Sequence, residues 1–211
     1  MAAEQRLLLT GFAPWADHAQ NPAAWLAERL DGWRAGDLRV AGLVLPVAHV
    51  AANATVAAAL RDLRPSAVLH LGLAAGRPNL TVERWAHNVA DFVIPDTAGA
   101  QPRGEPLRED GPRRLAAALD ADTALRALQD GGVPAALSDS AGTYVCNAVF
   151  YRTLDWAAAR HAGAVGFVHL PTAETVSLAD QERALERLLR SFSLDSPPTS
   201  TPPSWGSPLQ S

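Results

Sequence analysis

The chain has 211 residues, 18 Lys and Arg against 22 Asp and Glu, a formal net charge of −4 and a pI near 5.8. That length suits one domain with a substantial core and is short for two. Mild acidity with scattered arginines argues against a nucleic-acid partner, and a single cysteine, Cys146, rules out an intrachain disulfide and fits a reducing cytoplasm.

The N-terminal residues run into an apolar stretch that Gly11 ends, shorter than a signal-peptide core, and no later run reaches membrane-spanning length. A soluble, cytoplasmic protein without a membrane partner is therefore expected. Residues 6–10 (RLLLT) read as a buried strand of a parallel sheet, with the loop after it facing ligand. Asn21 and Pro22 open an Ala/Trp/Leu-rich helix to about Leu30. A second strand is expected over 38–45, a helix over 47–64 stopped by Pro65, and another buried strand over 66–71. This β–α alternation predicts a single-domain, three-layer α/β/α sandwich with a mostly parallel central sheet and helices on both faces.

Residues 80–94 are less regular, and the Pro/Gly-rich stretch 95–112 reads as a long ordered loop of the kind that carries function. A helix near 123–129 ends at Gly131 and Gly132, and a short strand is expected at 134–137. The loop SAGTYVCN (140–147) then carries Cys146 into a helix to about Arg160, the last strand spans 164–169, and an amphipathic helix covers 177–192. The Pro/Ser-rich remainder has little apolar content and reads as a flexible tail, which sets the domain at 1–193 and the tail at 194–211.

Cys146 sits where a polar loop becomes a helix, and unpaired N–H groups with the positive end of the macrodipole favour a thiolate there. A lone cysteine is equally at home as a small buried hydrophobe, so a base and an orienting group are required for catalysis. His169 closes the last strand, at the sheet edge where ligands bind in open α/β folds, and is placed to take a thiol proton and later return it to a leaving amine. Spacing alone does not choose its carboxylate partner among Glu83, Asp91, Asp96 and Asp139.

Five stretches make that choice by resemblance. TGFAPW (10–15) with Asn21 and Pro22, TVER (81–84) with Asn88, IPD (94–96) through Gln101, Pro102, Glu105, Pro106 and EDGP (109–112), SDSAGTYVCN (138–147), and GFVHLP (166–171) together resemble, in order, the motifs of type I pyroglutamyl peptidases. The resemblance covers about 6–192. It implies a phosphorylase/hydrolase-like fold and a cysteine peptidase that removes N-terminal 5-oxoproline from peptides, with no cofactor or metal. Cys146 would be the nucleophile, His169 the base and then acid, and Glu83 the group that orients the imidazole. Backbone N–H groups near Cys146 would hold the oxyanion. An apolar slot with one or two backbone hydrogen bonds suits a small neutral lactam. By family position Phe12, Trp15, Asn21, Val47, Leu73, Ile94, Tyr144 and Val145 would line or shape it. A homo-oligomer, dimer or tetramer, is a further expectation from the family.

Some positions depart from the pattern. Trp15 and Ala16 replace Phe and Gly, Leu73 replaces Gln, Val82 replaces Pro, and Asp139 replaces Asn. Val93 stands where many members carry Arg, which predicts a slower enzyme unless Arg77 or Arg84 compensates. Two alternatives follow. One is a family member that binds pyroglutamyl termini with little turnover. The other is a nucleoside- or phosphate-handling enzyme that uses the glycines at 72 and 76 to cradle an anion.

Overall fold

The computed structural model describes residues 4–15, 20–160 and 163–192, so the expectations for Ala16 and for the tail lie outside the described residues. Strands and helices are numbered separately in chain order. A seven-stranded sheet forms the centre, in the order β2-β3-β1-β4-β9-β5-β8. Strands β1 (Gln5–Phe12), β3 (Leu38–Leu45), β4 (Ala67–Leu73) and β9 (Val165–Leu170) run parallel. The two-residue β2 (Arg34–Ala35) adds an antiparallel edge to β3. On the other side β5 (Leu80–Glu83) runs antiparallel to β9 and parallel to β8 (Ala135–Ser138). A separate antiparallel pair, β6 (Trp85–His87) and β7 (Arg114–Ala116), frames the long loop.

Side chains alternate across a strand, so the buried runs divide between two helical layers. Leu8, Val68 and Phe167 share a core with α2 (His49–Leu63) and α4 (Val145–Ala158). Leu7, Leu9, Leu69 and Val168 share the other core with α1 (Pro22–Arg29), α3 (Ala121–Asp130) and α5 (Leu178–Ser191). Three layers result, as the β–α alternation predicts. Gly11 lets α1 settle on β1, since a Cβ there would lie 1.9 Å from the Ala23 carbonyl oxygen.

The helix ends follow local chemistry. Asn21 accepts from the Ala23 N–H at 3.0 Å to cap α1, and Asp120 accepts from Asp122 and Thr123 to cap α3. Arg64, in the left-handed region with φ 47°, closes α2 before Pro65. The Ala48 that precedes α2 has no side chain to cap it, and the Asp96 carboxylate reaches across from the long loop to accept the His49 N–H at 2.7 Å. The main difference from expectation is residues 80–87. They form two strands because Leu80, Thr81, Val82 and Glu83 are all buried, so a polar-bearing face packs inward and the alternation looks irregular in sequence.

Candidate active site

Two rows of the sheet prepare the site on the face covered by α4. In the first, Thr10, His70 and Phe167 are ladder neighbours on β1, β4 and β9. His70 is wholly buried between two hydroxyls, with Nδ1 2.7 Å from Thr10 Oγ1 and Nε2 3.0 Å from Thr153 Oγ1. Burial depresses its pKa to about 3, so it is neutral. The next row brings Gly72 of β4 beside His169 of β9, with Thr81 of β5 directly opposite His169.

The antiparallel turn of β5 puts Glu83 on the same face as Thr81. There Glu83 Oε1 lies 2.8 Å from His169 Nδ1, both side chains being almost wholly enclosed. The same oxygen accepts from Arg77 Nη1 at 2.5 Å. Arg77 Nη1 also donates to Thr81 Oγ1, and Nη2 to the Ser140 carbonyl at 3.1 Å. Glu83 Oε2 is buried without a hydrogen-bond partner, and the Ser138 hydroxyl across the ladder acts on the carboxylate at longer range. Burial pushes the Glu83 pKa up, but the hydrogen bond and charge of His169, with Ser138 and Arg77, bring it below the ordinary carboxylate value. For His169 burial prevails over the pull of Glu83 and Arg77 adds to it, so its pKa is lowered and the ring is neutral near pH 7. A neutral ring that donates from Nδ1 to an ionised Glu83 leaves Nε2 as an acceptor.

Cys146 is the second residue of α4 and remains partly accessible. A Cβ on Gly72 would lie 3.0 Å from Cys146 Sγ, 3.0 Å from His169 Cδ2 and 2.8 Å from Phe167 Cζ. Sγ and the ring carbon bonded to Nε2 are therefore no further apart than twice that 3.0 Å spacing. The absence of a side chain at Gly72 is what lets thiol and imidazole approach over the strand. This also accounts for the glycine without a phosphate cradle, since Gly72 lies within β4 and not in a loop after it. The helix start does not make a resting thiolate. Burial, then the Glu83 charge, push the thiol to about 12, against smaller opposing effects of its own backbone N–H and Arg77. The resting arrangement is a neutral thiol beside a neutral imidazole.

Of the other candidate carboxylates Asp91 is exposed, and the remaining two are engaged elsewhere. Asp96 accepts from the His49, Ala98 and Ala100 N–H groups, and Asp139 forms a two-pronged pair with Arg84 at 2.8 and 2.7 Å. Arg84 therefore serves a surface ion pair. Most polar residues of the motifs hold the loops. Asn147 Nδ2 donates to the His87 and Val89 carbonyls and its Oδ1 accepts the His87 N–H, tying α4 to the segment after β6. Asn88 binds the Arg108 and Gly111 carbonyls, and Gln101 those of Phe92 and Val93.

Of the expected lining residues, Trp15 and Tyr144 lie with ring centroids 5.2 Å apart, and Tyr144 packs on Phe92 at 4.4 Å. Phe12 is buried beneath the same cluster, Leu73 ends β4 half-buried, and Ile94 is exposed. Two others, Val145 and Val47, are placed differently from a lining role. Val145 is wholly in the core. Val47 is buried, and its carbonyl accepts from Thr97 N and Oγ1. Asn21 uses both ends of its amide, on Ala23 N–H and the Ala13 carbonyl. Val93 is 84 % exposed and brings no charge to the site. Phe92 and Phe167 belong to the surroundings of the site although spacing does not single them out. Among the described residues no cluster of three or more His, Cys, Asp or Glu side chains is arranged to hold a metal ion, and no helix is long and apolar enough to cross a membrane.

A sheet covered on both faces, with a thiol at a helix start beside an imidazole that is bonded to a buried carboxylate, defines a thiol hydrolase of the α/β class. The family model of pyroglutamyl peptidases matches residues 5–195, and the chain belongs to that family. It is 43 % identical to the pyrrolidone-carboxylate peptidase of Deinococcus radiodurans over 82 % of this chain and 81 % of that one. The pyrrolidone carboxyl peptidase structure from Thermococcus litoralis superposes with a TM-score of 0.83 at 32 % identity, covering 94 % of this chain and 99 % of that one. For pyroglutamyl peptidase I of Bacillus amyloliquefaciens the values are 0.84, 31 %, 89 % and 96 %.

Proposed function

We propose that Cys146, His169 and Glu83 carry out the hydrolysis of an N-terminal pyroglutamyl residue from peptides, the activity of this cysteine peptidase family. The observation that carries the assignment is the imidazole itself, bonded through Nδ1 to Glu83 at 2.8 Å and set across Gly72 from the only thiol. Because thiol and ring are both neutral at rest, attack and proton transfer go together. Nε2 takes the thiol proton as Sγ bonds to the pyroglutamyl carbonyl carbon, and the π pair moves to oxygen. The first turn of α4, whose first intrahelical bond is Ala148 N–H to the Tyr144 carbonyl, leaves earlier N–H groups free for that oxyanion. Collapse expels the peptide amine, which takes the proton from Nε2, and leaves a thioester. Water then attacks with His169 again as base. The second collapse returns the proton to sulfur and releases 5-oxoproline.

Trp15 and Tyr144, backed by the buried Phe92 and Phe12, supply an apolar wall suited to a neutral lactam. At the same sheet edge a groove of about 830 Å³, lined by Pro14, Asn21, Trp25, Val44 and Thr172 among others, offers the rest of the peptide a path. A homo-oligomer and a cytoplasmic setting also belong to this reading, motivated by the exposed Val93 and Ile94 on the long loop and by the lone free thiol.

The test is release of a fluorescent amine from a pyroglutamyl amide under reducing conditions, beside Cys146→Ala and beside a free-amine prolyl amide. Turnover only by the unsubstituted protein, and only on the pyroglutamyl substrate, is expected. A folded protein with no turnover above Cys146→Ala refutes the catalytic assignment and leaves a binding protein for pyroglutamyl termini.

A further inference from the structure

Arg77 is not part of the nucleophile, base and orienter set, yet it touches both halves of the site. It sits on the turn after β4, where its N–H donates to the Ala74 carbonyl at 2.9 Å, and its guanidinium fork divides between two structures. One nitrogen binds Glu83 Oε1 and Thr81 Oγ1, on the strand that faces His169. The other binds the carbonyl of Ser140, on the loop that leads into α4 and Cys146. The carboxylate is loaded on one side only, because Oε1 serves both His169 and Arg77 whereas Oε2 has no hydrogen-bond partner. A planar fork with fixed donors can hold such an arrangement, and a point-like ammonium cannot.

We propose that Arg77 is a positioning residue for the reaction, holding Glu83 ionised and in one rotamer while it fixes the nucleophile loop to the strand that carries the base. The proposal rests on the assignment of Cys146, His169 and Glu83 made above. It also says where cationic influence on this centre originates when position 93 holds an exposed valine. Arg84, the other candidate, is committed to Asp139 at the surface.

The electrostatic consequence has a definite sign. A cation beside Glu83 offsets the pull of that carboxylate on His169 and disfavours the imidazolium, and it works against the raised thiol value. Removing it lets the buried Glu83 favour a protonated ring. His169 then becomes a free base only at higher pH, so the acid limb of the rate profile moves upward. Loss of the Ser140 contact acts separately, by loosening the loop that sets the distance from sulfur to imidazole. The aromatic wall is not part of the Arg77 contacts, so substrate binding should change little.

The experiment compares kcat and KM across about pH 5 to 9 for the unsubstituted protein, Arg77→Gln and Arg77→Lys, with Cys146→Ala and Glu83→Gln as references and a thermal melt for each. For Arg77→Gln we expect kcat lower by about tenfold or more, the acid limb higher by about one pH unit, and KM within about twofold. Arg77→Lys should keep the limb near its original position while recovering only part of kcat, since one ammonium does not reach both Glu83 and the Ser140 carbonyl. A folded Arg77→Gln with unchanged kcat and limb overturns the proposal. So does a lower melting temperature with unchanged kcat per folded molecule, which is the mark of a brace for the fold alone. If Arg77→Gln does not accumulate folded, Arg77→Lys decides: reduced kcat at an unmoved limb supports the proposal, and full kcat overturns it. Failure of the underlying assignment shows separately, as turnover that survives in Cys146→Ala.

Discussion

Replacing Gly72 by alanine tests the active-site geometry with one methyl group. The new Cβ would meet Phe167 Cζ at 2.8 Å and Cys146 Sγ and His169 Cδ2 at 3.0 Å. Comfortable contacts between such atoms lie at about 3.5–4.0 Å, so the three neighbours must together give way by roughly 0.5–1 Å. All three are side chains, not backbone, so the strand survives and the overpacking should cost about 1–3 kcal/mol of stability. The site has less latitude. A displacement near 1 Å at reacting groups costs about 100-fold in rate, equivalent to about 2.7 kcal/mol in the barrier. The assay is kcat/KM on a pyroglutamyl amide, with a thermal melt to establish folding. A folded Gly72→Ala protein with undiminished kcat/KM would refute the reasoning, because thiol and imidazole would then not be held against this strand.

Other outcomes follow from the same structure. His70, with its pKa lowered to about 3 in the fold and ordinary when unfolded, contributes stability that is complete above about pH 6.5 and is lost as pH falls toward the folded value, because only the unfolded chain takes up the proton. Between pH 7 and 5 this amounts to about 2 kcal/mol, and urea midpoints for His70→Gln should show a correspondingly smaller acid loss. The lowered pKa of His169 puts the acid limb of kcat/KM below about pH 6.5, and a limb well above that value would show the base protonated at rest. The thiol value near 12 means that thiolate absorbance near neutrality should be absent in the free protein, and a strong thiolate band at pH 7 would contradict a neutral resting pair. Asn147→Ala, which takes the partner from the Val89 carbonyl and the His87 N–H and leaves the His87 carbonyl with the Val89 N–H alone, should lower stability by about 1–3 kcal/mol in denaturant titration.

The elements legible in the sequence were those whose pattern is set by one neighbour. The strand at 38–45, the helices bounded by Asn21, Pro65 and Ser177, and the β–α alternation all follow from local apolar spacing and caps. Strand β5 was obscured because Thr81 and Glu83 place polar groups on a buried face, where Thr81 Oγ1 and Glu83 Oε1 find partners in Arg77 and His169. The β6–β7 pair was hidden because its two strands are separated by the whole long loop. At the site, Cys146 and His169 stood out by position, but Glu83 was one carboxylate among four until the resemblance selected it. What distinguishes it physically is a tertiary fact, the reversal of β5 against β9. The unusual role of Asp96, capping a helix from a distant loop, leaves no local signal.

That reversal divides the molecule by how much change each part tolerates. Glu83 and His169 lie within paired strands, with β5 held by β9 on one side and β8 on the other. Their spacing is therefore set by the ladder and not by any connecting segment. Connections can lengthen or change composition, and the wall that meets the peptide can drift toward new sequences, while the proton-handling pair keeps its alignment. Selection for a different peptide, in nature or in the laboratory, should thus find its useful variation near Trp15, Ile94 and Tyr144 and meet resistance at Thr81, Glu83 and His169.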